Sequence, residues 1–90
     1  MYEIVFTPSA DKTIQKWKKS NFANFKKLVK IMLDIANNPR TGIGHPEPLK
    51  NGDDKRYSRR ITANDRIIYD ILDNEVIVLI IQVGGHYDDK

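Results

Sequence analysis

The stretch RIIYDILDNEVIVLIIQV, residues 66–83, sets the architecture of this chain. Its two halves, Arg66 to Leu72 and Glu75 to Val83, are rich in Ile and Val, which are enriched in strands. Asp73 and Asn74 between them predict a tight hairpin turn. Because the second half is apolar at nearly every position, we expect it to form a central strand that is covered on both faces.

Two further segments predict strands. Arg56 to Thr62 alternates in polarity and is joined to Arg66 by a short turn, so it extends the hairpin. Tyr2 to Phe6 alternates in the same way and predicts a first strand. Residues 39–54 are interrupted by proline and glycine and predict an irregular loop.

Residues 7–37 predict two amphipathic helices. Thr7-Pro8-Ser9 ends the first strand and offers a helix cap, and Ser20-Asn21 separates the two helices. The second helix is expected to end near Asn37, because Pro39 disfavours helix at the residue before it. The order β-α-α-β-β-β predicts an α+β fold, in which two N-terminal helices pack on one face of a small, mostly antiparallel sheet. The apolar faces of the helices comprise Ala10, Ile14, Trp17, Phe25, Leu28, Val29, Met32, Ile35 and Ala36.

Length and cysteine content bound the class of protein. Ninety residues carry one small core, so we expect a single domain, residues 1–90. The absence of cysteine excludes disulfides and thiolate metal sites. The N-terminus lacks the features of a signal peptide, and the longest apolar stretch, Val76 to Ile81, is too short to cross a bilayer. We therefore expect a soluble, cytoplasmic protein with no membrane association.

The net charge of +3 is unevenly distributed. Residues 1–66 hold fourteen of the fifteen lysines and arginines and seven acidic residues, a local net charge of +7. Residues 67–90 hold one lysine and five acidic residues, a local net charge of −4. Clustered positive charge favours a polyanionic partner, most simply nucleic acid, although ordinary solubility charge explains the composition equally well.

Glu47 is a candidate general base. It lies in HPEPLK, residues 45–50, where Pro46 and Pro48 hold the backbone extended on either side of it. Such stiffening would hold a catalytic carboxylate in place. An exposed glutamate in an extended loop is the alternative interpretation, and these residues by themselves favour it.

Three arginines on adjacent predicted strands are candidates for phosphate binding. Arg59, Arg60 and Arg66 lie within eight residues of one another, and Lys50 lies nearby in the chain. Guanidinium groups match the geometry of phosphate oxygens. Alternation places Arg59 and Arg60 on opposite faces, so only one of the two can join a given site. Charge that discourages aggregation at a strand edge is the alternative, but the density of cations favours phosphate binding.

His86 and Tyr87 follow Gly84-Gly85 directly after the predicted central strand. The glycines allow a sharp turn, and histidine is the side chain best suited to acid–base chemistry near neutral pH. We interpret His45 as incidental. Neither histidine has a second one at i+3 or i+4, so we expect no metal site.

A set of Glu, His, Lys and Arg side chains without cysteine or a metal suits the cleavage of RNA by its own ribose 2′-hydroxyl. That reaction needs a base for the 2′-proton, cations for the crowded phosphorane-like transition state, and an acid for the departing 5′-oxygen.

Four motifs follow one another along the chain: GHPEPLK at 44–50, YSRRIT at 57–62, DRIIY at 65–69 and His86-Tyr87. Together they closely resemble the YoeB/Txe toxins of the RelE superfamily. The resemblance extends over essentially the whole chain, and the order and spacing of its motifs are specific. It implies a type II toxin–antitoxin toxin that is a ribosome-dependent mRNA endonuclease, acts in the ribosomal A site of the small subunit and is neutralised by a YefM-like antitoxin. Homodimers are known in the family.

By motif position, the resemblance implies that Glu47 is the general base, His86 the general acid and Arg66 the arginine that stabilises the transition state. It implies no metal and no other cofactor. Two departures from the family are Tyr57, where relatives often carry Trp, and the extension Asp88-Asp89-Lys90. The resemblance implies supporting phosphate or substrate roles for Lys50, Arg60 and Tyr87, and we predict Arg59 as a further substrate-binding residue.

Two other functions are compatible with the sequence. The first is a non-catalytic protein on the same fold, which binds RNA or the ribosome or inhibits DNA gyrase as ParE-like toxins do. ParE-like toxins generally lack the Glu and His pattern, which argues against this possibility. The second is a repressor subunit that helps its antitoxin bind operator DNA, a role that is compatible with toxicity.

Overall fold

Two helices and five strands form in the computed structural model, which describes residues 1–50 and 53–85. All the strands lie in one sheet of order β1-β5-β4-β3-β2. β1 is parallel to β5, and the other neighbouring pairs are antiparallel. The predicted α+β fold is confirmed. The strands are β1 Glu3–Phe6, β2 Glu47–Pro48, β3 Arg56–Arg60, β4 Arg66–Leu72 and β5 Ile77–Gly84, and the helices are α1 Pro8–Ser20 and α2 Phe22–Asn37.

The helix boundaries are set by side-chain caps. The Thr7 hydroxyl accepts a hydrogen bond from the backbone N–H of Ala10 at 3.2 Å and starts α1. Asn21 serves both helices, because its N–H donates to the carbonyl of Trp17 and its side chain accepts from the N–H of Asn24. α2 ends at Asn37, two residues before the buried Pro39, as predicted.

The core lies between the helices and one face of the sheet. A bulge opposite Ile68 and Tyr69 leaves Ile81 as an extra residue in β5. The bulge changes the spacing of the buried β5 residues, so that Val78, Ile80 and Val83 all join the core although the last two are three residues apart. The core cluster comprises Ala10, Ile14, Trp17, Leu28, Ile31, Ile35, Tyr57, Ile61, Ile67, Tyr69, Ile71, Val78, Ile80 and Val83.

The structure corrects the predicted strands in several places. The predicted loop of residues 39–54 contains β2, a two-residue edge strand that pairs with β3. A 3₁₀ turn at Asp73–Glu75 replaces the predicted two-residue hairpin turn, so β5 begins at Ile77 rather than Glu75. β3 ends at Arg60 rather than Thr62, because the Thr62 hydroxyl donates to the Asp65 carboxylate at 2.7 Å and forms a turn.

Within the described parts of the chain, neither helix combines the length and the apolar character needed to cross a bilayer.

Candidate functional site

Glu47 and Arg66 come together although nineteen positions separate them in the chain. Nη1 of Arg66 lies 3.5 Å from Oε1 of Glu47. Both side chains are open to solvent, with 40% of Arg66 and 64% of Glu47 exposed. The structure thus places two of the predicted catalytic residues in one accessible pair.

Backbone hydrogen bonds on both sides of Glu47 hold it in position. In the β2–β3 ladder Glu47 pairs with Ser58 and Pro48 with Tyr57. Before Glu47, the carbonyl of Gly44 accepts from the N–H of Arg60 at 2.6 Å. After it, the N–H of Leu49 donates to the carbonyl of Arg56 at 2.9 Å. The proline-flanked glutamate therefore belongs to an ordered edge of the sheet.

Arg60 brings a second guanidinium to the same face of the sheet. It is exposed and is the cross-strand partner of Arg66, so both side chains project from the same side of their strands. Like charges directly opposite one another repel, which makes this position favourable for an anion. Lys50, three residues beyond Glu47, is also exposed. The site can therefore hold a phosphate beside a carboxylate base.

Ser58 is a polar residue near Glu47 that the sequence did not single out. As the cross-strand partner of Glu47, it shares that face of the sheet. Ser58 is buried, and within the described structure its hydroxyl has no hydrogen-bond partner. An unpaired buried hydroxyl is unfavourable, and no local pattern in the sequence signals it.

The predicted substrate-binding role of Arg59 is wrong, because this side chain is fully buried on the opposite side of the sheet. Its guanidinium donates to the Asp34 carboxylate, to the hydroxyl of Tyr69 and to three loop carbonyls. All three guanidinium nitrogens of Arg59 donate to these partners, and the buried side chain is out of reach of a phosphate. As predicted, alternation separates Arg59 from Arg60, and only Arg60 joins the site.

The pKa shifts of Asp34 and Tyr69, the two side chains that accept hydrogen bonds from Arg59, agree with this arrangement. The hydrogen bond from Arg59 lowers the pKa of Asp34 below its ordinary value and keeps the carboxylate charged. Burial raises the pKa of Tyr69, so its phenol stays protonated and donates to the carbonyl of Pro39 at 2.8 Å.

A second arginine cluster joins four segments at the other end of the sheet. Arg40 donates to both carboxylate oxygens of Asp73, at 3.2 and 3.0 Å, and to Asp54. Tyr2 donates to Asp73, and Tyr57 donates to Asp54 at 2.6 Å. These bonds lower the pKa of Asp73 and raise that of Tyr57. Tyr57, a departure from the family pattern, thus has a hydrogen bond that tryptophan has no hydroxyl to make.

His86 and Tyr87, the predicted acid and its neighbour, lie outside the described residues, as does the extension Asp88-Asp89-Lys90. The strand before them, β5, ends at Gly84, one residue beyond the predicted end at Val83. Gly84 pairs with Arg66 and has a φ of 137°, a conformation that favours glycine. The end of β5 therefore lies beside the arginine of the site.

Comparisons with known proteins identify the family. The family described as YoeB-like toxin of bacterial type II toxin-antitoxin system matches residues 6–87. Toxin YoeB of Streptomyces coelicolor is 33% identical over 84 residues, which cover 93% of this chain and 98% of that protein.

Two solved structures from Staphylococcus aureus share the fold. A YoeB dimer matches with a TM-score of 0.83 and 31% identity, over 96% of this chain and 98% of that chain. A YoeB-YefM complex matches with a TM-score of 0.82 and 31% identity, over 97% of this chain and 99% of that chain. Because sequence and fold agree over nearly the whole length, this chain belongs to the YoeB-like toxins of bacterial type II toxin–antitoxin systems.

Proposed function

We propose that this toxin is a ribosome-dependent endoribonuclease that cleaves mRNA by attack of a ribose 2′-hydroxyl on the adjacent phosphate. The observation that carries the proposal is the exposed pair of Glu47 and Arg66, 3.5 Å apart, with Arg60 opposite Arg66. The carboxylate can accept a proton and the two guanidiniums can bind an anion, so together they can act on a single phosphodiester and its neighbouring 2′-hydroxyl.

The proposed reaction divides among these residues as follows. Glu47 takes the proton of the 2′-hydroxyl while that oxygen forms a bond to phosphorus. Arg66 and Arg60 stabilise the negative charge that builds up on the phosphate oxygens, with Lys50 in support. The bond from phosphorus to the 5′-oxygen breaks, which leaves a 2′,3′-cyclic phosphate and a free 5′-hydroxyl.

The leaving 5′-oxygen needs a proton, and we assign that step to His86, with Tyr87 in a supporting role. Both assignments rest on motif position in the family, since these residues lie outside the described part of the chain. Histidine suits this step in general, because its unperturbed pKa of about 6.5 is close to neutral pH and it can both hold and release a proton there.

We further propose a YefM-like antitoxin as the partner that neutralises this toxin, and a homodimer as its free form. Support comes from the YoeB-YefM complex and the YoeB dimer of Staphylococcus aureus, which match this chain at 31% identity. The ribosome and its mRNA are proposed as the target on family grounds.

Cleavage mapping on a translated mRNA tests the proposed function. The wild-type chain should cut the mRNA in a translating extract, and both Glu47→Gln and Arg66→Ala should slow cutting by about 10²–10⁴-fold. Glu75→Gln, a change at an exposed glutamate in the turn before β5, is the matched control and should cut at the wild-type rate.

Two results would contradict this proposal. Intact mRNA during translational arrest would favour the non-catalytic function on the same fold. Unchanged cutting by both Glu47→Gln and His86→Gln would exclude the acid–base mechanism while leaving the nuclease activity in place.

A further inference from the structure

Arg59 and the chain segment 38–44 form one connected unit, which we call the Arg59 anchor. The guanidinium donates to the carbonyls of Asn38, Thr41 and Ile43 and so contacts this segment at three points. Its Nη1 also donates to Asp34 in α2 at 2.5 Å, and its Nε donates to Tyr69 in β4 at 3.0 Å. The anchor therefore ties a loop without regular structure to a helix and to the sheet.

The loop closes tightly around the guanidinium. Asp34 accepts a second hydrogen bond from the N–H of Ile43 at 3.1 Å, which bends the loop back onto α2. A Cβ at Gly42, where φ is 128°, would lie 1.9 Å from the Asp34 carboxylate and 3.1 Å from Nη1 of Arg59. Only glycine fits this position, so the backbone approaches the ion pair closely.

The anchored loop leads directly into Glu47. Its last residue, Gly44, is bonded to Arg60, and only His45 and Pro46 separate it from the candidate base. Glu47 itself is 64% exposed, and apart from its contact with Arg66 its position depends on the backbone. The direction of that backbone is set before Glu47 by the anchor and after it by Leu49.

An ion pair whose arginine is fully buried is a costly way to hold a loop if stability alone matters. Well-packed apolar residues of similar volume often stabilise a fold as well or better. A planar guanidinium, however, reaches several carbonyls at fixed angles, which lysine or an apolar side chain cannot do. We therefore interpret the anchor as a device that fixes the conformation of the loop rather than one that adds stability.

We propose that Arg59 is a positioning residue for Glu47, acting through the 38–44 loop from the opposite side of the sheet. The inference rests on the proposed function, because it concerns the placement of the proposed base. A misplacement of about 1 Å in a catalytic group can slow a reaction about 10²-fold.

A double-mutant cycle on the folded toxin tests the proposal, with cleavage of ribosome-bound mRNA as the assay. Arg59→Lys should lower the single-turnover rate at saturating toxin by about 10²-fold. The toxin concentration for half-maximal cleavage should change by less than about threefold, because Arg59 does not touch the substrate. The double variant Arg59→Lys, Glu47→Gln should cleave no more slowly than Glu47→Gln alone.

The cycle separates positioning from a loss of folded protein. If Arg59→Lys only lowered the folded fraction, its effect would multiply with that of Glu47→Gln, and this result would overturn the proposal. A wild-type rate for Arg59→Lys would also overturn it. Ile14→Val, on the buried face of α1, is the control for a general loss of stability and should not change the single-turnover rate.

A substitute variant and the rate of Glu47→Gln alone complete the test. If Arg59→Lys does not fold, Asp34→Asn takes its place in the same cycle, since it weakens the anchor from the other side with little change in shape. If Glu47→Gln cleaves like the wild type, Glu47 is not the base, and the proposed role of Arg59 fails together with that assignment. If Glu47→Gln is slow and the two effects multiply, only the role of Arg59 fails.

Discussion

Neighbouring residues in this chain have opposite roles. Arg59 and Arg60 carry the same functional group, yet one is fully buried among five hydrogen bonds and the other is exposed opposite Arg66. The alternation of a strand puts the two side chains on opposite faces, and this was predictable from the sequence. The sequence did not show that Arg59 pairs with Asp34, 25 positions away, because no local pattern signals that partner.

The Asp34 carboxylate should make the stability of the fold depend on pH. Its pKa is lowered in the folded chain by the hydrogen bond from Arg59, so the unfolded chain takes up the proton first as the pH falls. The stabilisation is therefore complete above the unfolded value of about 3.9 and is lost as the pH falls through the lowered value. At pH 7, Asp34→Asn should lower the free energy of unfolding by about 1.5–3 kcal/mol, as expected for a hydrogen bond to a charged group.

Urea unfolding of wild type and Asp34→Asn at pH 7 and at pH 3 measures this effect. The difference between the two proteins should be large at neutral pH and should shrink in acid. Asp11→Asn, on the exposed first turn of α1, corrects for the loss of one negative charge. A difference that stays constant from pH 7 to pH 3 would show that the Asp34 charge does not stabilise the anchor.

At the scale of elements, the sequence predicted what is local and missed what depends on pairing. Thr7, Asn21 and Pro39 act within one helical turn, so both helices were predicted close to their observed limits. The strand β2 exists only because β3 offers Tyr57 and Ser58 as partners, and the bulge at Ile81 exists only opposite β4. Neither has a signature of its own in the residues that form it.

Thr7 should stabilise the junction of β1, α1 and β5 through its hydroxyl. That hydroxyl caps α1 by accepting from Ala10 and donates to the carbonyl of Ile81 at 2.8 Å. Thr7→Ala removes both bonds and should lower the free energy of unfolding by about 1–2 kcal/mol. Thr7→Ser keeps the hydroxyl and should remain within about 0.5 kcal/mol of wild type. Chemical denaturation of the three proteins compares them, and equal losses for both variants would assign the effect to the lost methyl group instead.

The whole molecule separates two basic regions. The seven lysines between Lys12 and Lys30 are all exposed on α1 and α2, which cover one face of the sheet. Arg60, Arg66 and Lys50 belong to the Glu47 region, and the β2–β3–β4 register directs Glu47, Arg60 and Arg66 away from the face that Arg59 shares with α2. The sequence predicted the excess of positive charge, and the fold divides it between a broad helical surface and a compact site.

This division predicts that salt and lysine substitutions act on docking rather than on cleavage. Lys12, Lys16 and Lys19 lie on one face of α1, and replacing all three with Gln should weaken binding to a polyanionic target such as ribosomal RNA. The slope of log affinity against log salt should become shallower by roughly 0.7 for each phosphate that the variant no longer neutralises. The single-turnover cleavage rate at saturation should stay at the wild-type value, because these lysines are remote from Glu47. Replacing the same three residues with Arg keeps the charge and should preserve the slope. A shallower slope in this Arg control would show that the charge of these lysines does not set the slope. A fall in the saturated rate of the Gln variant would show that the two basic regions do not act separately.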